Sequence, residues 1–263
     1  AVGERVNGDL KTLSTITEKP KLVLLHGWGY DNNCWSDVML NDLQGQYELI
    51  LLDLPGHGQD AFIADKRNNI SQLDEWIAIT KQFLPNQYHI LGWSLGAQIA
   101  IRMAHNDTRI QSVTLIAVNP KFTSGANWPS AMLPNLLAQF QQGYEALASK
   151  TLRRFASLQA KGSVAPKILV EQMLELMQVQ VSKAFGLKLL QELDERVHLC
   201  QLTQPCYIEL ATHDALVPFE WVSQLQLPTS VQVNYVEGAH GYLLEHCGVT
   251  RQMANFLHLE VPL

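Results

Sequence analysis

Gly92-Trp93-Ser94-Leu95-Gly96 lies between the apolar run Tyr88-His89-Ile90-Leu91 and the helix-forming stretch Ala97-Gln98-Ile99-Ala100. The pattern is G-x-S-x-G with a strand before it and a helix after it. In that context a serine sits on a sharp, strained elbow with its hydroxyl projected outward. The flanking glycines leave room where a side chain would collide with the neighbouring backbone. The amino end of the following helix brings partial positive charge to where an oxyanion would develop. The pentapeptide therefore predicts a strand–turn–helix and names Ser94 as a candidate nucleophile.

Outward from the elbow, strand-like and helix-like stretches alternate. Leu22–Leu25, Tyr47–Leu52, Tyr88–Gly92, Val113–Val118, Tyr207–Ala211 and Val231–Val236 are apolar runs without strict alternation. That is the pattern of strands buried on both faces. Trp35–Leu43, Ser71–Leu84, Leu95–Ala104 and Tyr242–Leu257 read as helices between and after them. The reading is an α/β fold, a mostly parallel central sheet flanked by helices. Asn7-Gly8 carries a tight-hairpin signature, so the residues before Pro20 are expected to add a short antiparallel edge.

The rhythm breaks after Val118, and no convincing strand follows until Tyr207. Apolar residues recur there at helical spacing: Leu136, Leu137 and Phe140; Leu152, Phe155 and Leu158; Ile168, Met173, Leu176 and Met177. A structureless loop of that length is improbable in one domain. The expectation is a helical lid spanning 119–199, inserted after the sixth strand above the carboxyl edge of the sheet. Residues 1–118 and 200–263 then form the core.

A serine hydroxyl needs a base, and the base needs an orienting acid. On a strand–elbow–helix architecture of this kind the expected chain order is serine, then Asp or Glu, then histidine. Asp214 stands just beyond the strand Tyr207–Ala211, and His240 just beyond Val231–Val236. Both would emerge at the sheet edge that carries Ser94. Of the other histidines, His246 falls in the last helix and His213 lies beside the acid. His57, His89, His105, His198 and His258 lack a strand-end context. None forms HExxH or another ligand spacing, so neither a metal nor an organic cofactor is expected. His26-Gly27-Trp28-Gly29 follows the first strand of the core, and the N–H groups of Trp28 and Leu95 could together receive an oxyanion.

The 263 residues are 47% hydrophobic and 17% charged, which excludes wholesale disorder. A net charge of −6 argues against nucleic acid as the main partner. No apolar run approaches membrane-spanning length, and no secretory leader opens the chain. Cys34, Cys200, Cys206 and Cys247 show neither CxxC spacing nor framework density. They read as free thiols, and the expected setting is the cytoplasm.

With these residues in hand, the chain resembles the α/β-hydrolase superfamily along essentially its full length. The marks are HGWG at 26–29, DLPGHG at 53–58, GWSLG at 92–96, His213-Asp214 and GAH at 238–240. It resembles more specifically the BioH-like pimeloyl-[acyl carrier protein] methyl ester esterases of biotin synthesis. Asn127-Trp128-Pro129 and Arg154-Phe155-Ala156-Ser157-Leu158-Gln159 carry that likeness, together with Trp28 and Trp93. The resemblance implies Ser94 as nucleophile, His240 as base and Asp214 as its orienter, with Trp28 and Leu95 at the oxyanion hole. It implies that Phe155, Ala156, Ser157, Leu158 and Gln159 line the acyl channel. It also implies a monomer acting on an ester carried by acyl carrier protein, with no cofactor.

Charge distribution bears on the partner independently. From Asn119 to Leu190 eight basic residues face three acidic ones, with Lys150, Arg153, Arg154, Lys161 and Lys167 crowded together. A solvated helix face is the usual meaning of such a cluster. Beside an acyl channel it would also steer an acidic carrier protein, and Lys150, Arg153, Arg154 and Lys167 are the expected docking residues. The enzymatic alternatives are a small-molecule esterase or a C–C bond hydrolase. The alternative of another class is a receptor-like hydrolase that mainly binds its ligand.

Overall fold

The computed structural model describes residues 18–246 and 248–260. The strand β1 (Lys21–Leu25) is followed by α1 (Asp37–Gln44), β2 (Glu48–Leu52), α2 (Asn69–Phe83), β3 (Tyr88–Trp93), α3 (Leu95–Ala104) and β4 (Ile110–Ile116). Four helices come next: α4 (Pro134–Ala160), α5 (Pro166–Leu176), α6 (Ala184–Glu192) and α7 (Arg196–Cys200). The chain closes with β5 (Cys206–Ala211), β6 (Val231–Val236), α8 (Tyr242–His246) and α9 (Arg251–Phe256). All six described strands are parallel, in the order β2-β1-β3-β4-β5-β6.

Strand order reverses at β1 and β3, and ligands of open α/β sheets bind at such a switch point. The register pairs Leu25 with Gly92, so the loop after β1 and the elbow after β3 leave the sheet side by side. Residues of β1 and β3 are almost wholly buried, whereas β6 is half-exposed along its length. The sequence reading took Tyr47–Leu52 and Val231–Val236 as covered on both faces; β2 and β6, at the two ends of the described sheet, are not.

The helical stretch between β4 and β5 falls where the apolar spacing put it. Pro134 and Pro166 start α4 and α5 at the first turn, where a missing N–H costs nothing. Leu147 interrupts α4 at φ −154° and ψ 87°, so the long helix is kinked there. Among the described strands this stretch follows the fourth. The count of six included a hairpin before Pro20, and Asn7-Gly8 lies outside the described residues, as does Cys247. The tail expected as one helix is two, because Thr250 restarts the chain by capping the N–H of Met253 in α9. Among the described residues no helix is long and apolar enough to cross a membrane, and Cys34, Cys200 and Cys206 are free thiols.

Candidate active site

Ser94 is the residue between β3 and α3, at φ 56° and ψ −114°, a backbone region that side chains rarely occupy. Its N–H is tied to the Ile116 carbonyl of β4 at 2.9 Å. A Cβ on Gly92 would run into the Gly96 carbonyl and the Ala97 backbone, and one on Gly96 into the carbonyls of Leu25 and His26. Both glycines are therefore dictated by backbone passing backbone. Leu95 opens α3, and the first N–H groups of a helix have no intrahelical acceptor.

Asp214, in the loop after β5, and His240, in the loop after β6, reach the same edge. Asp214 Oδ2 lies 2.6 Å from His240 Nδ1, and His240 Nε2 lies 3.0 Å from Ser94 Oγ. An ionised carboxylate only accepts, so Nδ1 carries the proton and Nε2 is left to accept the serine hydroxyl. Oδ1 of Asp214 accepts the N–H groups of Leu216 and Val217, both at 2.8 Å, which locks the carboxylate's orientation. Both side chains, Asp214 and His240, are 1% exposed. The arrangement can activate a hydroxyl and stabilise the imidazolium that results.

The loop after β1 is held from several sides. His57 Nε2 accepts the N–H of Gly29 at 3.2 Å, and His26 Nε2 accepts that of Leu54 at 3.0 Å. Each Nδ1 faces a backbone carbonyl, of Pro55 and Gly27 respectively. Burial lowers the His26 pKa to about 4 and that of His57 well below its ordinary value. Both imidazoles are thus neutral struts. The Trp28 indole is buried and meets Phe155 and Tyr144 edge-on, with ring centroids 4.8 and 5.5 Å away.

The helices after β4 meet these loops. The Gln159 carbonyl accepts the N–H of Gly241 at 3.1 Å, and its Oε1 accepts the Tyr30 hydroxyl at 3.1 Å. Tyr30 in turn packs against Trp93, whose ring stacks on His240. Met173 and Met177, one turn apart on α5 and at its carboxyl cap, bring their terminal methyls to Gly241 and Gly29. Phe155, Ala156 and Gln159 are buried and Leu158 is partly buried. Ser157 is exposed, its hydroxyl donating to the Arg153 carbonyl. The structure thus brings Phe155 and Gln159 to the loops, buries Ala156, leaves Leu158 partly buried and turns Ser157 to solvent.

Lys150, Arg153 and Arg154 lie on the exposed side of α4, and Lys167 in the first turn of α5. Arg153 pairs with Glu171 at 3.0 Å, and Arg154 lies over the ring of Phe140. Tyr30, Met173, Met177, Lys183 and Glu209 join the surroundings of the site without having been singled out for it. Tyr30 follows HGWG directly, and Met173 and Met177 share a helical spacing; nothing local marks the other two.

Residues 22–252 match the model of the alpha/beta hydrolase family. A pimeloyl-[acyl-carrier protein] methyl ester esterase of Nitrosomonas europaea is 32% identical over 90% of this chain and 91% of its own length. One of Aeromonas salmonicida is 32% identical over 86% and 91%. Among solved structures, an esterase from Exiguobacterium antarcticum covers 92% of this chain and 90% of its own at 20% identity, with a TM-score of 0.76. An enol-lactonase from Burkholderia xenovorans covers 92% of each at 14% identity, with a TM-score of 0.75. With the elbow, the parallel sheet and the family match in agreement, the chain belongs to the alpha/beta hydrolase family.

Proposed function

We propose that the chain is a serine carboxylesterase that hydrolyses the methyl ester of pimeloyl-acyl carrier protein in biotin synthesis. The observation that carries the chemistry is the relay from Asp214 through His240 to Ser94, at 2.6 and 3.0 Å. The relatives from Nitrosomonas and Aeromonas, named for that reaction, support the substrate.

In this reading Ser94 Oγ attacks the ester carbonyl carbon while His240 Nε2 takes its proton. Charge on the carbonyl oxygen is received by the N–H groups of Trp28 and Leu95. Collapse breaks the acyl–oxygen bond, and the imidazolium returns the proton to the departing methoxide, which leaves as methanol. Water then gives a proton to His240 and attacks the acyl-enzyme; the acid departs and Ser94 recovers its proton. No metal or organic cofactor takes part.

Residues 119–199 serve as the lid. Phe155 and Trp28 wall an apolar acyl slot, with Ala156, Leu158 and Gln159 contributing, and Ser157 left outside it. The carrier protein docks on Lys150, Arg153, Arg154 and Lys167. A groove of about 420 Å³ supports this placement: Lys150 and Arg153 line it together with Leu152, Leu174, Met177 and Val179. The enzyme acts as a monomer in the cytoplasm. Growth of a biotin auxotroph lacking this esterase on the wild-type gene, and not on the Ser94→Ala gene, tests the reading in the cell.

A further inference from the structure

Lys183 follows the α5–α6 connection and is wholly buried, at 0% exposure. Its ammonium donates to the Gly29 carbonyl at 2.7 Å and to the carbonyl of Gln178. Its own carbonyl accepts the Trp28 indole N–H at 2.8 Å. Gly29, at φ +90°, is therefore held at both ends of its peptide units, its N–H by His57 and its C=O by Lys183.

A buried ammonium is costly, and an apolar side chain of similar length would fill the space without that cost. The charged groups that act on it do so through space. Asp31 and Asp53 favour its protonated form, while His26 and His57 are neutral and are pushed further down by it. Tyr144, whose hydroxyl donates to the Gln180 carbonyl at 2.5 Å, is kept protonated by burial. The charge thus has backbone carbonyls as its contacts, one of them in the loop beside the nucleophile.

We propose that Lys183 is a positioning residue for the oxyanion hole, clamping the Trp28–Gly29 loop so that the Trp28 N–H stays beside that of Leu95 as the ester carbonyl becomes an oxyanion. The inference rests on the reading of Ser94 as nucleophile and of Trp28 and Leu95 as the hole. Donors to an oxyanion act mainly in the transition state, so a loosened clamp lowers kcat and leaves KM nearly unchanged.

Desolvation lowers the Lys183 pKa to about 8. A neutral amine still donates, but it loses the charge assistance that roughly doubles such a bond. Turnover should therefore decline as pH rises through about 8. Stability should not follow it. An unfolded lysine keeps its proton to about pH 10.4, so between the two values the unfolded state binds more protons. The contribution of Lys183 to stability then rises with pH over that window.

The test measures kcat and KM for p-nitrophenyl butyrate from roughly pH 7 to pH 9.5 in the wild type and in Lys183→Met, with thermal unfolding recorded on the same samples. Lys183→Met is expected to lose about tenfold in kcat, less than deletion of a hole donor, with KM nearly unchanged and no alkaline decline. In the wild type kcat is expected to fall across pH 8 while the fold persists. A folded Lys183→Met protein with wild-type kcat and an unchanged profile overturns the proposal. If that variant does not fold, the wild type decides: a level kcat up to pH 9.5 overturns the clamp, and a decline without unfolding supports it. Ser94→Ala keeps the two readings apart. Lost turnover in that control, alongside a level wild-type profile, overturns the clamp alone; retained turnover overturns the site reading and the clamp with it.

Discussion

The Tyr242 hydroxyl donates to Oε1 of Glu209 at 2.6 Å, two residues beyond His240. Glu209 is buried in β5, and its Oε2 accepts the hydroxyls of Tyr207 and Thr250, both at 2.5 Å, and the amide of Asn234. One carboxylate thereby joins β5 and β6 to the starts of α8 and α9, beneath the loop that carries His240. Removing it leaves two buried hydroxyls, of Tyr207 and Tyr242, without this acceptor, at about 1–2 kcal/mol each, the lower end of the usual cost. Glu209→Leu should lower unfolding stability by roughly 2–4 kcal/mol and reduce kcat, with Glu209→Gln milder on both counts. An unchanged denaturant midpoint in Glu209→Leu would show that the network adds no net stability.

Glycine substitutions separate the crowded elbow from open surface. Gly96→Ala places its methyl against the carbonyls of Leu25 and His26, which cannot retreat without breaking the β1–β3 register. It should cost several kcal/mol or abolish folding, and no turnover should survive. Gly125→Ala meets nothing within 4 Å and should change stability by less than about 0.5 kcal/mol. Paired urea melts decide the matter, and equal midpoints would contradict the packing.

The two buried imidazoles set an acid limit. His26 is lowered to about 4 and His57 well below its ordinary value, chiefly by desolvation. Unfolded histidines take up protons near pH 6.5. Below that pH the unfolded state binds more protons than the folded state, so stability is complete above about 6.5 and is lost as pH falls toward 4. His26 alone accounts for about 3 kcal/mol over that range. Urea midpoints measured between neutral pH and pH 4.5 should fall steadily; a flat profile would mean that these rings are protonated in the fold.

The strands, the elbow and the order of Ser94, Asp214 and His240 were legible because each is a local pattern tied to a strand end. The helical character of residues 136–177 was legible from apolar spacing. The exposure of β2 and β6 was not, since their residues look like those of the inner strands and only strand order tells them apart. Lys183 was counted with the basic residues of the insertion, because its acceptor Gly29 lies 154 positions away. Glu209 looked like an ordinary strand residue for the same reason: its donors Tyr242 and Thr250 are remote in sequence and near only in the fold.

The basic face of α4 should affect carrier-bound substrate and not the chemistry. Arg153→Glu with Arg154→Glu should raise KM for an acyl carrier protein ester and leave a small neutral ester almost unchanged. Wild-type activity on the carrier ester should also fall with added salt, since exposed charges are screened beyond about 8–10 Å at physiological ionic strength. Losses of equal size on both substrates would mean that the substitutions damaged the helix rather than a docking surface.

The most direct measurement is steady-state hydrolysis of pimeloyl-acyl carrier protein methyl ester, followed by methanol release, in the wild type and in Ser94→Ala, Asp214→Asn and His240→Ala. The account predicts sustained turnover by the wild type. It predicts losses of about three to six orders of magnitude in the serine and histidine variants, with the aspartate variant also strongly impaired. Turnover that persists in a folded Ser94→Ala protein, or a wild type that cleaves simple esters and leaves the carrier-bound methyl ester intact, would contradict it.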